Sequence, residues 1–331
     1  MAGSGATLLD LMQVQVAKQS TWGTAVTPPT GKLMGIQDVK IDPGLKAKVF
    51  HDRRGSLAPG HITALSEFMP SGKIKALGLY EDVAYLLDGL CGEATPSGAG
   101  PYTRNYAAPI TAVPSPRIQT MYYGDGTNCY RLTGMLPSKL VFKGESGGPL
   151  TVDADVFGQL FDAGTLAALS DRAVNVGMGD HATVFVDTWG GTIGSTALTP
   201  SAWAFELTLD SKRKPDQYFG SLAADSYHEA DGAEGWDGTL KLSLEFNAAT
   251  KAQYDAMIAQ SAVYQRQVRI KYTSGTSVMQ FDFAGASEET PSYGEDHGGV
   301  LFFDAVLRGV YNTTLGNWFK AQSINTLSTL A

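Results

Sequence analysis

The sequence predicts a mainly β chain built as two tandem β-sandwich or barrel domains, each with one flanking α-helix. Three observations carry that expectation. The back half repeats the front half: Tyr130-Arg131-Leu132-Thr133-Gly134 aligns with Phe281-Asp282-Phe283-Ala284-Gly285 at a shift of 151 residues, and the same shift carries Val152-Asp153-Ala154 and Gly158 onto Phe303-Asp304-Ala305 and Gly309. A period that long marks a duplicated domain, because solenoid repeats are several times shorter. The best-patterned segments alternate apolar and polar residues, as half-buried strands do. Each copy also holds a single stretch with helical spacing.

Taken in order, the chain divides into 1–165 and 166–331. Val14 to Trp22-Gly23 resembles Val184 to Trp189-Gly190. Ile36 to Ile41 reads as a strand broken by Pro43-Gly44, and its counterpart Ala204 to Leu209 alternates cleanly and ends before Pro215. After each break comes a long arm with little core pattern, 44–71 and 216–237, and long ordered loops usually serve contacts. The strand from Gly72 to Leu77 matches that from Gly238 to Phe246. A helix is predicted next, with Val83, Leu86, Leu87 and Leu90 on one stripe, Glu81 and Asp82 favouring its start and Gly92 ending it. The second copy offers Thr250, Tyr254, Met257 and Ile258, with Asn247 as cap. One apolar stripe apiece predicts helices that pack on a sheet or plug a barrel end. Residues 91–116 form a Gly/Pro-rich insertion that the second copy lacks. Val152, Ala154 and Val156 share one strand face, as do Phe303, Ala305 and Leu307, and Gln267–Tyr272 pairs with Met279–Phe283 around Ser274-Gly275.

The 331 residues give each copy room for its own core. A hydrophobic content of 43% with 18% charged residues describes a globular chain. No apolar run approaches the ~20 residues that span a bilayer, and Met1 to Met12 lacks the basic stretch of a secretory signal. Cys91 and Cys129 are too few for a disulfide framework and read as reduced thiols. The net charge of −8 lies wholly in the second copy, concentrated in two loops holding Asp225, Glu229, Asp231, Glu234 and Asp237, then Glu288, Glu289, Glu295 and Asp296. Such a surface opposes tight DNA binding, which needs Lys and Arg at phosphates, and suits one that DNA passes without sticking.

Gly144-Glu145-Ser146-Gly147-Gly148-Pro149-Leu150 is close to the nucleophile loop of trypsin-like serine proteases. That chemistry needs an oriented His base and an oxyanion hole. The upstream histidines, His51 and His61, lack the family's setting, and the duplicate loop Gly294-Glu295-Asp296-His297-Gly298-Gly299 puts His297 in place of Ser146. Turn chemistry is what the two loops share. The five histidines are scattered without metal-ligand spacing. No enzyme, cofactor or metal site is expected.

Ala17 to Thr24, the strand–helix unit Gly72 to Gly92, Gly100-Pro101-Tyr102, Leu132-Thr133-Gly134 and Val152-Asp153-Ala154 together resemble the major tail tube proteins of long-tailed, non-contractile bacteriophages. The resemblance covers roughly the first 160 residues directly and the rest through the repeat. It implies small β-sandwiches whose sheets join side by side into rings, and rings stacked into a tube with an acidic lumen that conducts DNA. Where six domains make a ring, three chains of this kind close a pseudo-hexameric homotrimer of about −24 formal charge. It further implies a virion protein of the tail, assembled in the host cytoplasm, whose partners are its own copies, the tape-measure protein, the tail terminator and baseplate or tip proteins. DNA passes without specific binding and no membrane is involved. On this resemblance Phe50, His51, Arg53, Arg54 and Phe68 of the first arm, and Tyr218, Phe219, Tyr227 and Trp236 of the second, are candidates for contacts between rings or subunits. Asp225, Glu229, Asp231, Glu288, Glu289, Glu295 and Asp296 are candidates for the acidic lumen. A phage decoration or adhesin-type β-rich protein is the alternative, and a trypsin-like protease a remote one.

Overall fold

The structure is a computed structural model that describes residues 11–51, 62–198, 201–229, 235–259, 263–289, 291, 295–297 (backbone course) and 299–330. The front half supplies β1 (Gln13–Lys18), β2 (Gly31–Leu33), β3 (Ile36–Asp42), β4 (Leu45–Phe50), β5 (Ile62–Phe68), β6 (Ser71–Leu77), α1 (Val83–Cys91), β7 (Tyr102–Ala107), β8 (Gln119–Gly124), β9 (Cys129–Glu145), β10 (Thr151–Phe157) and β11 (Leu160–Ala163). The back half supplies β12 (Ala182–Thr188), β13 (Ala202–Asp210), β14 (Lys214–Asp216), β15 (Ser226–His228), β16 (Asp237–Glu245), α2 (Ala248–Ile258), β17 (Gln265–Ser274), β18 (Ser277–Ser287), β19 (Glu295–His297), β20 (Val300–Gly309) and β21 (Phe319–Asn325). The mainly β class read from the alternating segments is what the molecule shows.

One antiparallel sheet runs through both halves in the order β3–β6–β10–β9–β13–β16–β20. Behind it lie two smaller sheets, β2–β1–β8–β9–β11 and β12–β17–β18–β21–β7. Strand β9 belongs to both layers: Cys129–Met135 pairs with β8, and Leu136–Lys143 pairs with β10. The bend falls where Gly134 takes φ +74° and where the register slips past Ser138 between the Asp155–Lys139 and Val156–Pro137 pairs. Glycine tolerates that backbone conformation without a Cβ clash, and bulges are how strands turn from one sheet into another.

The succession of pairings recurs at the shift seen in the sequence. Gln159 N donates to Thr133 O at 2.8 Å, and 151 residues later Val310 N donates to Ala284 O at 3.0 Å. Strands β3 and β13 also break register at matching places, between Ile36 and Asp38 and between Ala202 and Ala204. The buried side chains nonetheless form one contiguous cluster rather than the separate core expected for each copy. Phe142 on β9 meets Phe281 on β18 with ring centroids 4.6 Å apart, so the β9–β13 junction fuses what two isolated sandwiches would keep separate.

The helices depart from the sequence expectation in different ways. In α1 every residue from Val83 to Leu90 is buried, not one stripe. The cover comes from far along the chain, because the 91–116 insertion contributes β7, which pairs with β21 and closes over the helix. Asp82 makes no capping bond; it accepts from Met34 N at 2.6 Å and pairs with Arg172. In α2 Asn247 caps as expected, accepting from Ala249 N and Thr250 N, while Thr250 is the one buried side chain.

Candidate assembly surface

The large sheet has a core face and an open face. On β6, Ile74 and Ala76 point inward while Lys73 and Lys75 point out. The alternation continues across the sheet, with Asp153 and Asp155 on β10, Lys139 and Lys143 on β9, Glu206 and Asp210 on β13, and Lys241 on β16 all off the core side. Acids and bases pair across the strands, directly opposite in Lys73–Asp155 at 3.4 Å and Lys143–Glu206 at 3.3 Å, and diagonally in Lys241–Asp304 at 2.5 Å and Arg308–Asp237 at 3.2 Å. Hydrogen bonds to Asp237 and Glu288 raise the Arg308 guanidinium above its ordinary range, so it stays cationic. Such exposed pairs add little to stability, because water and salt screen them. Their larger effect is to leave no run of unpaired cations that would grip a phosphate backbone.

The halves meet edge to edge. Strands β9 and β13 pair over seven positions from Glu145–Ala204 to Lys139–Asp210. Gly144 makes the close approach possible, since a Cβ there would lie 2.2 Å from the Tyr272 hydroxyl and 2.5 Å from the Phe205 ring. Among the described residues, β3 at one end of this sheet pairs with β6 alone, and β19 at the other pairs with β20 alone. Beside β3 runs a groove of mixed character in which Val39, Ile41, Tyr123, Tyr130 and Phe161 are joined by Lys40 and Asn128, with Tyr130 stacked on Phe161 at 5.2 Å and half exposed.

Two arms leave the sheet after β3 and β13. The first is the β4–β5 hairpin, whose β4 is exposed at every position, with Leu45, Val49 and Leu65 each more than half exposed. The second, carrying β14 and β15, lies down on the molecule. Ala223 bridges to Phe68, Phe68 N donates to Leu222 O at 2.7 Å, and Trp22 Nε1 reaches Ala224 O at 3.5 Å.

The model of the phage tail tube protein family matches residues 10–301. The chain belongs to the phage tail tube protein family. Its role is structural, in the tail tube of the virion. No curated protein matches the sequence.

Within this tail tube chain the predicted contact residues separate into two groups. Phe50, His51, Tyr218 and Phe219 are exposed, Phe219 fully. Phe68, Tyr227 and Trp236 are turned partly inward: Tyr227 packs on Trp22 with centroids 5.1 Å apart and under the Arg213 guanidinium at 5.8 Å, and Trp236 packs against the core. Arg53, Arg54 and Asp231 lie outside the described residues. Of the acidic candidates, Asp225 accepts from Tyr218 N at 2.9 Å within the second arm. Glu229 is nearly buried in an ion pair with Arg213 at 2.5 Å, so its carboxylate faces that guanidinium. Glu288 pairs with Arg308 at 3.2 Å beside the open face, and the Glu289 carbonyl accepts from Ser287. Glu295 and Asp296 lie in β19 by their backbone.

No pattern in the sequence marks Arg213. Its guanidinium is buried and donates to Gly89 O at 2.8 Å, Leu90 O at 3.1 Å and Pro137 O at 3.2 Å, joining the second half to the end of α1. The segment around Ser146 is a turn between β9 and β10, closed by Gly148 N donating to Glu145 O at 3.2 Å, with Gly147 at φ +76°. Its glycines are thereby accounted for without a nucleophile. Among the described residues no three His, Cys, Asp or Glu side chains come together as a metal site would require.

Proposed function

We infer that three copies of this chain close a pseudo-hexameric ring, that rings stack into the tube, and that the open face of the large sheet lines a lumen through which DNA passes. The observation that carries this reading is the β9–β13 junction. It joins two equivalent sandwiches through their sheet edges, and the molecule ends in two further edges of the same kinds. Unpaired edges invite another strand, and a ring satisfies all of them at once. The lumen surface on this reading is the paired-charge ladder, with carboxylates in modest excess, rather than the acidic loops alone. Such a wall repels DNA weakly and offers no cluster of free cations to hold it. The exposed β4–β5 hairpin, with its apolar side chains bare, is the natural contact to the next ring. Contacts with the tape-measure protein, terminator and tip proteins would fall on the two ends of the stack, and assembly in the host cytoplasm follows from the same reading.

Negative-stain electron microscopy of the purified chain over a concentration series tests this. Hollow rings with threefold symmetry, stacking as concentration rises, are expected. Deleting 47–69 should leave rings that fail to stack. Dispersed monomers at every salt and concentration would overturn the ring, and normal tubes from the deletion variant would remove the arm from its role.

A further inference from the structure

The internal junction places cations on one side and acids on the other: Lys143 of β9 stands opposite Glu206 of β13, and Lys139 opposite Asp210. The free edges can be set in the same frame. Strand β19 pairs Glu295 with Phe302, as β9 pairs Lys143 with Thr151, and Thr151 and Phe302 stand at the 151-residue shift. Glu295 therefore holds the register position of Lys143, and His297 that of Glu145 rather than that of Ser146, where the sequence repeat sets it, a difference of one residue. At the other edge β3 pairs Val39 with Ile74 as β13 pairs Phe205 with Leu242. Ile74 and Leu242 in turn stand opposite Ala154 and Ala305, again 151 apart. Lys40 thus holds the position of Glu206, and Asp38 that of Ala204, and the matching register breaks in β3 and β13 fix the alignment.

The geometry points to a junction between chains in which β19 of one copy pairs with β3 of the next, Glu295 standing opposite Lys40 and His297 opposite Asp38. This rests on the ring reading and adds to it a register and a polarity. The sign of the charge pair is reversed relative to the internal junction, where the cation is on the β9 side. An isologous antiparallel β19–β19 contact centred on the strand would set Asp296 opposite its own copy, and a slip by one residue would exchange the two faces of the strand. Opposite charges directly across a strand pair stabilise it and like charges oppose it, so the pattern selects a head-to-tail closure. The groove beside β3, lined by Val39, Ile41 and Phe161 together with Lys40 and Asn128, lies where the partner strand would run. Lys40 is strongly exposed and among the described residues its ion pair is with its near neighbour Asp38 at 3.3 Å, so changing it should leave the folded chain intact.

Charge reversal tests the pairing. Lys40→Glu and Glu295→Lys should each raise the concentration needed for ring assembly by about tenfold or more, and the double variant should return it close to wild type. A second measurement uses Lys40→Cys with Glu295→Cys, which should give disulfide-linked species ending at the trimer under oxidation. If the wild type forms no rings, the ring reading fails and takes this pairing with it. If the wild type forms rings while the single reversals assemble normally, the double variant fails to recover, or the cysteines do not cross-link, the β19–β3 register is wrong and the ring reading stands.

Discussion

The helices α1 and α2 occupy matching places in the two halves and are held by opposite means. Helix α1 has no capping side chain, no acid in its first turn and no base in its last, yet nearly all of it is buried. Its last carbonyls are served by Arg213 from the other half, and Asp88 within it accepts from the Tyr106 hydroxyl at 2.9 Å and from Ala94 N at 3.2 Å. Helix α2 is mostly exposed and leans on its own ends, with the reciprocal Asn247–Thr250 cap and a Lys251–Asp255 ion pair at 2.5 Å, while Tyr254 packs on Phe303 at 5.4 Å and Gln253 accepts from Tyr264 and Arg266. A helix of about ten residues is marginal by itself in water. In the front half burial dominates, and in the back half capping with one partly packed face.

The contrast can be broken most sharply at Arg213. Arg213→Ala removes the donors to Gly89, Leu90 and Pro137 and leaves Glu229 buried without its partner, so urea denaturation should show a loss of about 3–5 kcal/mol. A loss below about 1 kcal/mol would mean α1 does not depend on the clamp. A smaller effect is expected from pH. Burial raises the Asp88 carboxyl to about 6 from its ordinary 3.8. The acid is therefore held preferentially neutral: its favourable contribution is complete below about pH 4 and is lost as pH rises through 6, about 2–3 kcal/mol in all. Asp88→Asn keeps an acceptor for Tyr106 and Ala94 and should flatten that part of the stability profile between pH 4 and 7; an unchanged slope would exonerate Asp88. The smallest effect belongs to α2, where Asn247→Ala should cost about 1 kcal/mol, read as a lower urea midpoint. A cost as large as that at Arg213 would erase the distinction between the helices.

What the sequence made legible was local. The Asn247 cap, the hairpin turning at Ser274-Gly275 and the period-two strands each declare themselves within ten residues, and the 151-residue shift reappears in backbone hydrogen bonds. The rest depends on distant partners. In Tyr102–Ala107 the inward positions are Arg104 and Tyr106, both buried, so the pattern does not look like that of a core strand. Arg104 is satisfied by Asn325 at 3.3 Å and the Leu327 carbonyl at 2.8 Å, more than two hundred residues away. Lys212-Arg213-Lys214 likewise looks like a solvated basic run, and nothing local says that of these three cations Arg213 is the buried one. The acidic loops were visible as composition, whereas the ladder of paired charges emerges once the strands are set in register.

The β7–β21 pairing has a consequence in time. The strand at 102–107 leaves the ribosome long before its partner at 319–325, and at about 5–20 residues per second the interval is roughly 10–40 s. Until the last strand arrives, α1 lacks one wall and the front sandwich cannot finish. Completion of the first unit is thus coupled to synthesis of the whole polypeptide, which keeps half-made chains from offering a mature edge to their neighbours on the same message.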